Sequence, residues 1–524
     1  MKNKRSVLFM CLMATSLLTV AAGTKNEAES SWVHLDKRGR LVYQQTPRGD
    51  RIVDFSHAGY MGGGVPLPEV EVVKRVKYEP GLDDYTETIQ KAIDEVSVMP
   101  IRNGFRGAVL LAPGEYRCSG SLVIAADGVV VRGSGDRAHK STTIVMCGEK
   151  HSAFVMSRQR RTPRLPDAQL VRNGVKVTDA YVPCGTRSLH VANGSGFRPG
   201  DDVLICKPVT KDWLHFMRMD DLWRNGKPQT WIAEGTWLKT RRTLQAVDGD
   251  RLTFTVPLVD AYDMRYTNDS TLVVAAPHDS LLTQAGVENL RISSPSQAVN
   301  HTVAKYFGVR LNGRDCWLKD LDLFETMESI GTNGERITLK NVSVMRTARH
   351  EGSSKPAEFP PNAGQILMDH CYVKGDNIWS VGIGARVSGP IVLLNCKFEG
   401  NGRFQGHQRW STAFLLDNCS FEEGGIDFMN RGEMGSGHGW GTAWAVAWNC
   451  TAKDYVNQLP PGSCNWGIGC HGKRLLQRRP FSKSGPFEPE GIYDSHGQSV
   501  TPQSLYLTQL KERLGQQALR NIGY

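Results

Sequence analysis

One phrase recurs along this chain, as ILMDHCYV from Ile366, IVLLNCKF from Ile391, FLLDNCSF from Phe414 and AVAWNCTA from Ala445. Looser copies precede it: VENLRI from Val287, WLKDLDL from Trp317 and ITLKNVSV from Ile337. Each copy is an apolar run that leads to a polar residue, and the polar positions are, in order, Asn289, Asp320, Asn341, His370, Asn395, Asn418 and Asn449. Successive polar positions are 21 to 31 residues apart, a spacing typical of solenoid repeats.

No helical periodicity separates the copies, so the repeat unit consists of strands. A strand-only repeat of this length predicts an all-β fold, a right-handed parallel β-helix solenoid whose coils stack on one another. Equivalent residues of neighbouring coils would then lie about 4.8 Å apart. We expect the polar positions to form an inward ladder, whose amides hydrogen-bond backbone groups and each other. Cysteine follows the polar residue at Cys371, Cys396, Cys419 and Cys450. This pattern predicts a stack of small buried side chains and does not require disulfides.

The composition describes a folded, turn-rich β protein, with 54 glycines among 524 residues and 22% charged residues. A solenoid absorbs length, so one long domain is expected. The formal net charge is +10, and it becomes +7 (10 − 3) without residues 1–23, which carry three cations and no anion. A basic protein favours acidic partners such as nucleic acid, acidic polysaccharide or anionic surfaces. No nucleic-acid-binding motif is present. Eleven cysteines (12 − 1) follow residue 23, so at least one is unpaired in a monomer.

The first residues, MKNKRSVLFMCLMATSLLTVAAG, have a basic start, an apolar run and small residues at the end. This pattern predicts a secretory signal peptide over residues 1–23, cleaved near Ala22 or Gly23. The apolar run is shorter than the roughly 20 residues that span a bilayer. We therefore expect a protein without a membrane span, either secreted or periplasmic.

The rest of the chain divides into five predicted segments. They are an entry segment with a capping helix (24–106), the first β-helix coils (107–187), a small β insertion (188–275), the main coils (276–471), and a C-terminal tail with an amphipathic helix (472–524). The insertion contains Trp213, Trp223, Trp231 and Trp237. These rings could serve as platforms for sugars or form the core of a small subdomain.

Three motifs near the start carry a resemblance to a known group. They are DFSHAGYMGGG from Asp54, DDYTETIQKAID from Asp83 and GAVLLAPGEY from Gly107. Together they resemble the entry of the pectate-lyase-like (pectin lyase fold) superfamily of secreted carbohydrate-active proteins, although no exact family is identified. The resemblance implies a right-handed parallel β-helix and an activity on polysaccharides, as a lyase or a glycoside hydrolase. Because the shared residues are structural, it does not specify the reaction.

The segments between the later copies are polar and aromatic: RTARHEG, GDNIWSVGIGAR, FQGHQRWSTA, GGIDFMNRGEMGSGHGWGTA and CNWGIGCHGK. Since they follow the ladder position at similar distances, they should stack on one face of the main coils. A solenoid also needs polar residues at its turns, but the density of histidine and arginine here favours an active-site strip. The candidate catalytic residues are His407, Arg409, His438, Arg431, Asp427 and Asp376. The candidate substrate-binding residues are His350, Trp410, Asn430, Trp440, Trp466 and His471.

Two chemistries fit this strip. A lyase acting on a uronic-acid glycan by β-elimination needs a base, such as His407 or His438, and cations that neutralise the carboxylate, such as Arg409 and Arg431. A glycoside hydrolase needs two carboxylates, for which Asp376 and Asp427 are the best pair. A third alternative is a non-catalytic glycan-binding β-helix. No metal site and no cofactor are predicted, and calcium is unsupported because no cluster of aspartates stands out. The expected partner is an acidic polysaccharide, not nucleic acid, and the oligomeric state is open.

Overall fold

The structure is a computed structural model that describes residues 28–136, 139, 141–158, 165–278, 280–298, 303–352, 354–482 and 484–524. The predicted signal peptide, residues 1–23, lies outside the described residues. Within these ranges 26 strands form one continuous system in which every pairing of the solenoid is parallel. The predicted fold class is confirmed: the protein is an all-β, right-handed parallel β-helix.

Each coil passes through three parallel sheets. We name them A, B and C in the order in which the chain passes through them, with the ladder positions at the turn from sheet A to sheet B. Sheet A leads to that turn and contains Val72–Val76, Gly107–Leu111, Val129–Gly133, Leu282–Thr283, Gly364–Asp369, Ser388–Leu394, Ser411–Asp417, Thr442–Ala443, Val446–Trp448, Trp466–Ile468 and Ile492–Asp494. Sheet B follows the turn and contains Gly114–Cys118, Thr142–Met146, Tyr372–Lys374 and Lys397–Glu399. Sheet C closes the coil and contains Leu122–Ile124, Ser152–Met156, Ala357–Phe359, Trp379–Ile383 and Arg403–Gly406. Longer strands bend from one sheet into the next: Gly286–Ser293, Phe307–Phe324, Ile330–Met345, Ser420–Phe428, Thr451–Asn457 and His471–Arg474.

The ladder positions form the turn between sheets A and B. All seven predicted residues adopt the left-handed conformation, with φ between 50° and 57°. Register pairs such as Leu394 with Asp417 and Asp417 with Trp448 place Asn395, Asn418 and Asn449 in adjacent coils, so the predicted stack is confirmed. The predicted inward direction is wrong. The left-handed residue interrupts the strand alternation, so its side chain lies at the outer corner and is half-buried at most of these positions.

The corner side chains hydrogen-bond mainly to the C-terminal segment of the chain. Asn449 donates through Nδ2 to the carbonyl of Val500 at 2.8 Å, and its Oδ1 accepts from the Val500 amide at 2.8 Å. Asn418 donates in the same way to the Gln503 carbonyl at 2.9 Å. The ladder therefore fixes the C-terminal segment to the outside of the solenoid.

The cysteines that follow the ladder point inward, as predicted. Cys371, Cys396, Cys419 and Cys450 are buried, and Cys470 adds a fifth member to the stack. Every cysteine in the described ranges is a free thiol. Burial raises the pKa of the Cys396 thiol well above its ordinary value, so it behaves as a small apolar side chain.

Helices cover the first coil and one outer face. Thr86–Ser97 packs Ile89, Ile93 and Val96 against the interior of the first coil, as a capping helix must. The two C-terminal helices, Leu505–Leu514 and Gln516–Ile522, lie on the outer face of sheet A, where they share one apolar cluster with its outward residues. The remaining helices are Asp167–Asn173, Lys211–Phe216 and Met264–Thr267, with a 3-10 turn at Tyr60–Gly62. Within the described ranges, no helix has the length and hydrophobicity that crossing a membrane would require.

The insertion is an antiparallel sheet of six strands, in the order Val175–Lys176, Leu272–Ala275, Asp202–Pro208, Trp237–Asp248, Arg251–Phe254 and Ser188–His190. It begins before the predicted boundary of 188, because Val175–Lys176 pairs with Leu272–Ala275. Four separate pairs of short strands are present as well. Two lie within the insertion, Tyr181–Val182 with Tyr262–Asp263 and Trp223–Arg224 with Lys227–Pro228. Two involve the N-terminal segment, Val33–Leu35 with Leu41–Tyr43 and Ala28–Glu29 with Val500–Thr501.

The coils continue beyond the predicted boundary of 471. His471–Arg474 pairs with Thr451–Asn457, and Ile492–Asp494 returns to pair with Trp466–Ile468. The proline-containing stretch 475–491 between them is an excursion from the solenoid, and this polar stretch is why the sequence suggested an earlier end.

Candidate functional site

The outer face of sheet C carries a connected set of charged side chains. Strand alternation sends Val381, Phe404 and Ile426 into the core. The residues between them therefore point outward, and the register places Gly382, Gln405 and Asp427 side by side in successive coils. A second outward row consists of Trp379, Arg403, Gly425 and Asp454. These two rows form the floor of what we call the sheet C groove.

Arg403 holds the floor together. Its Nε and Nη2 donate to the two carboxylate oxygens of Asp427 at 2.8 and 2.6 Å, and Nη2 also donates to Asp454 at 2.6 Å. Burial lowers the pKa of Arg403, but the hydrogen bonds and charges of Asp427 and Asp454 outweigh it, so the pKa is raised overall. Glycine at position 425 makes this possible, because a Cβ there would lie 2.3 Å from Nη2 of Arg403.

Trp379 lies at the centre of the groove between two cations. The Lys355 ammonium lies 5.2 Å from the centre of the indole ring, and the Arg431 guanidinium carbon lies 5.7 Å from it. Lys355 belongs to the loop that precedes sheet C and Arg431 to the loop that follows it, so the two loops border the groove. The Trp379 side chain keeps partial exposure. A ring with cations beside it can stack on a sugar whose substituents are anionic.

Arg431 is an unusual arginine because it is only 6% exposed and has no carboxylate partner among the described residues. Its Nη1 donates to the backbone carbonyl of His407 at 2.8 Å, and its buried Nε has no hydrogen-bond partner in those residues. Burial lowers the pKa of Arg431 to about 10, and the charge of Asp427 opposes this shift. At neutral pH the site therefore holds a positive charge whose donors are incompletely satisfied.

Two histidines stand at the rim of the groove. The rings of His407 and His438 are perpendicular, with centres 4.6 Å apart. Burial, followed by the charges of Arg431 and His407, lowers the pKa of His438 to about 3. His438 is thus neutral at physiological pH and only weakly basic. His407 is exposed and can reach a ligand in the groove.

The insertion fixes the loop that carries Arg431 and His438. Gln229 donates through Nε2 to the Gly435 carbonyl at 3.0 Å, and Trp231 donates through Nε1 to the Trp440 carbonyl at 3.2 Å. Arg409, predicted to bind a substrate carboxylate, instead donates to the Trp231 carbonyl at 2.6 Å and to the Ser436 hydroxyl at 2.8 Å. Because Arg409 uses these donors within the protein, it holds the loop against the insertion.

Several other predicted residues are structural. The candidate substrate-binding residues Trp410, Trp440 and Trp466 are buried, and so is Asn430. Trp410 packs edge-on against Trp213 and Trp231 of the insertion. The prediction that these rings bind substrate is wrong, because the insertion and the N-terminal segment cover them.

The remaining candidates lie away from the floor. Asp376 is exposed in the loop before Trp379–Ile383 and accepts from the Asn401 amide at 3.2 Å. His350 is buried, and its carbonyl accepts from Asn377 at 2.6 Å. The ring of His471 contacts the Ser499 hydroxyl at 3.1 Å, beside the C-terminal segment.

Of the twelve candidates, the groove brings together Asp427, Arg431, His407 and His438. It adds five residues that sequence reasoning missed: Lys355, Trp379, Arg403, Gln405 and Asp454. Within the ranges that the structure covers, no three side chains of histidine, cysteine, aspartate or glutamate are grouped so that they could hold a metal ion.

Comparisons with solved structures find similar chains at low sequence identity. The chain is similar to the tailspike of Pseudomonas phage phi297, with 14% identity and a TM-score of 0.32, covering 74% of this chain and 67% of that one. It is also similar to the tailspike of an Acinetobacter baumannii bacteriophage in complex with capsular saccharide. That match has 11% identity and a TM-score of 0.30, and it covers 75% of this chain and 61% of that one.

A third similar structure is the A-module of a mannuronan C-5 epimerase from Azotobacter vinelandii, with 11% identity and a TM-score of 0.29, covering 78% of this chain and 82% of that one. The parallel β-helix itself is shown by the strand pairing of this chain. No family model matches this chain, and no curated protein matches it.

Proposed function

We propose that the protein depolymerises an acidic polysaccharide by β-elimination, and that the sheet C groove is its active site. The observation that carries this proposal is the partly exposed Trp379 ring beside the cations Lys355 and Arg431. An aromatic face suits the apolar face of a sugar ring, and two cations beside it suit a carboxylate on that sugar.

Arg431 has the features of a group that neutralises a uronic carboxylate. A proton next to a carboxylate becomes easier to remove when a fixed positive charge stabilises the negative charge that develops. Arg431 already holds that charge in a largely buried position, so little reorganisation is needed when substrate binds. Its buried Nε has no hydrogen-bond partner among the described residues, so the protein itself leaves this guanidinium incompletely hydrogen-bonded.

His407 is the base in this proposal. A general base works best when its pKa is near the working pH, and a pKa of about 3 makes His438 a poor one. His438 instead packs against the His407 ring and orients it. Lys355 is the second carboxylate-binding cation; burial, followed by the charge of Arg403, lowers its pKa.

The floor supports elimination better than hydrolysis. The hydrolase alternative needs two available carboxylates that flank the bond to be cleaved. Both oxygens of Asp427 accept from Arg403, and Gln405 donates to one of them at 3.1 Å. The other proposed member of the pair, Asp376, lies in the loop before Trp379–Ile383 and accepts a hydrogen bond from the Asn401 amide.

The test is a panel of uronic and neutral polysaccharides, followed in parallel by ultraviolet absorbance and by reducing ends. Elimination creates an unsaturated uronide that absorbs in the ultraviolet, whereas hydrolysis creates only reducing ends. We expect both signals on at least one uronic glycan and neither on neutral glycans. Reducing ends without absorbance would select the hydrolase, and binding without either signal would select the glycan-binding protein.

Matched variants locate the activity. His407→Ala should lower the rate by at least ~10²-fold, because only the base removes the proton. Lys355→Met should lower kcat/KM by roughly tenfold, the cost of one charged hydrogen bond. The controls are His215→Ala and Lys37→Met, which alter exposed residues outside the groove and should leave the rate unchanged. Full activity in His407→Ala would show that the base is another residue.

A further inference from the structure

A second basic site lies between the insertion and the solenoid, outside the sheet C groove. It is a cavity of about 510 Å³ bounded by the strand Trp237–Asp248 on one side and by turns that lead from sheet C into sheet A on the other. The volume falls in the range of small-ligand pockets, about 300–1,000 Å³. We call this cavity the basic cleft. Its charged lining residues are Lys239, Arg241, Arg242, Arg314, Arg386 and Glu335.

Three of these cations have acidic partners. Arg314 pairs with Glu335, Arg241 donates to Asp202 at 2.7 Å, and the Lys239 ammonium lies 3.3 Å from Asp167. These pairs neutralise part of the lining. Five cations line the cleft, and their three acidic partners leave a formal charge of +2 (5 − 3).

Two arginines remain uncompensated. Arg242 is buried and donates only to backbone carbonyls, those of Pro257 at 2.9 Å, Arg241 at 2.7 Å and Gly389 at 3.2 Å. Arg386 is exposed at the mouth, and in the described part of the chain no carboxylate lies within ion-pairing distance of its guanidinium. Keeping a cation buried without a counter-ion is costly, and a bound anion would offset that cost.

The other lining residues point to a sugar more than to a nucleic acid. Asn333, Asn362 and Gln365 contribute amides, which suit hydroxyl groups as donors and acceptors. The residues that line the cleft include no aromatic ring. Binding of single-stranded nucleic acid relies on stacking of bases on aromatic side chains, which this cleft does not offer.

We propose that the basic cleft is an accessory binding site for an acidic polysaccharide, and that it holds a carboxylated or sulfated sugar unit between the insertion and the coils. Arg386 and Lys239 contact the anion at the mouth, and Arg242 provides a fixed positive charge beneath it. The site binds the polysaccharide and takes no part in bond cleavage. That this polysaccharide is also the substrate of the groove rests on the proposed function, whereas binding at the cleft can be measured without it.

The test measures binding in a Trp379→Ala background, which weakens the groove and leaves the cleft intact. The probes are a heparin-derived hexasaccharide, hexagalacturonate, maltohexaose and a short DNA single strand, titrated by calorimetry at low salt. We expect one or both acidic sugars to bind and the neutral sugar not to bind. Preference for heparin would identify sulfate as the anion, and preference for galacturonate would identify carboxylate.

The decisive comparison adds Arg386→Met or Lys239→Met to that background, with Arg198→Met as the control. Arg198 is exposed on the insertion and does not line the cleft. Each cleft variant should weaken binding of the acidic sugar by roughly tenfold and flatten its salt dependence, while the control should not. Both mouth residues are surface cations whose replacement leaves the fold intact, and circular dichroism verifies this. The proposal is overturned by any of three results: no acidic sugar binds, both cleft variants bind as tightly as the control, or DNA binds as tightly as the sugars.

Discussion

The ladder turn offers a quantitative test of how the C-terminal segment is held on the solenoid, and Asn449 is the best position for it. Its side chain makes three hydrogen bonds: Nδ2 donates to the carbonyls of Val500 at 2.8 Å and Gln503 at 3.1 Å, and Oδ1 accepts from the Val500 amide at 2.8 Å. Its φ of 50° is a conformation that asparagine and glycine adopt more readily than alanine. Asn449→Ala thus loses the three hydrogen bonds and also puts alanine into an unfavourable backbone conformation. Asn449→Gly loses only the hydrogen bonds.

The magnitudes follow from these two contributions. Each hydrogen bond contributes about 0.5–1.5 kcal/mol, toward the lower end here because the site is partly exposed. The left-handed conformation costs alanine about 1–2 kcal/mol. Asn449→Ala should therefore lower the free energy of unfolding by about 3 kcal/mol, and Asn449→Gly by about 1 kcal/mol less.

A matched control separates the backbone contribution. Asn268 also has a φ of 50°, but it lies in an exposed turn outside the ladder. Asn268→Ala should cost about 1 kcal/mol, the conformational contribution alone. The measurements are urea unfolding followed by circular dichroism and hydrogen exchange at the Val500 amide. If both Asn449 variants are as stable as the wild type, or if Val500 exchanges no faster in them, the ladder does not hold the C-terminal segment.

Two further predictions concern buried charge. The Asp417 carboxyl accepts hydrogen bonds from the Ser504 hydroxyl and the Tyr506 amide, at the start of the C-terminal helices. Burial raises its pKa to about 7, against an ordinary value of 3.8. The native state then binds a proton that the unfolded state releases, so the contribution of Asp417 to stability is greatest below pH 4 and falls as the pH rises to 7, by up to about 1.4 kcal/mol per pH unit. Asp417→Asn should remove that part of the slope in urea unfolding at several pH values, and an unchanged slope would contradict it. Gly425→Ala should displace the Arg403 guanidinium, because the added Cβ would occupy its place. The free energy of unfolding should fall by about 1–3 kcal/mol, and activity should be lost. A variant as stable as the wild type would show that Arg403 does not anchor the floor.

The repeat made the fold predictable because it encodes register. Asn395, Asn418 and Asn449 recur with their cysteines, and a stack of coils is the arrangement that places such equivalent residues together. The direction of the ladder side chains was not predictable from spacing, since it depends on the left-handed conformation at each position. Alternation along a strand continues only while the backbone stays extended.

The site was predicted in part. The polar segments include four candidates that lie in the proposed groove, namely Asp427, Arg431, His407 and His438. Arg403 was not among the candidates because it lies on the strand Arg403–Gly406, just before the polar segment FQGHQRWSTA, and only its outward position on that strand marks it. The burial of Trp440 depends on Trp231 of the insertion, about two hundred residues earlier in the chain. Contacts of that range leave no local sequence signal.

The most direct test of the proposed active site is a crystal structure of the His407→Ala variant soaked with a uronic oligosaccharide from the best substrate. The structure should show a sugar ring stacked on Trp379, with its carboxylate between Lys355 and Arg431 and its acidic carbon facing the position of the missing imidazole. Ordered sugar elsewhere on the protein, with nothing on Trp379, would contradict the assignment of the sheet C groove as the active site.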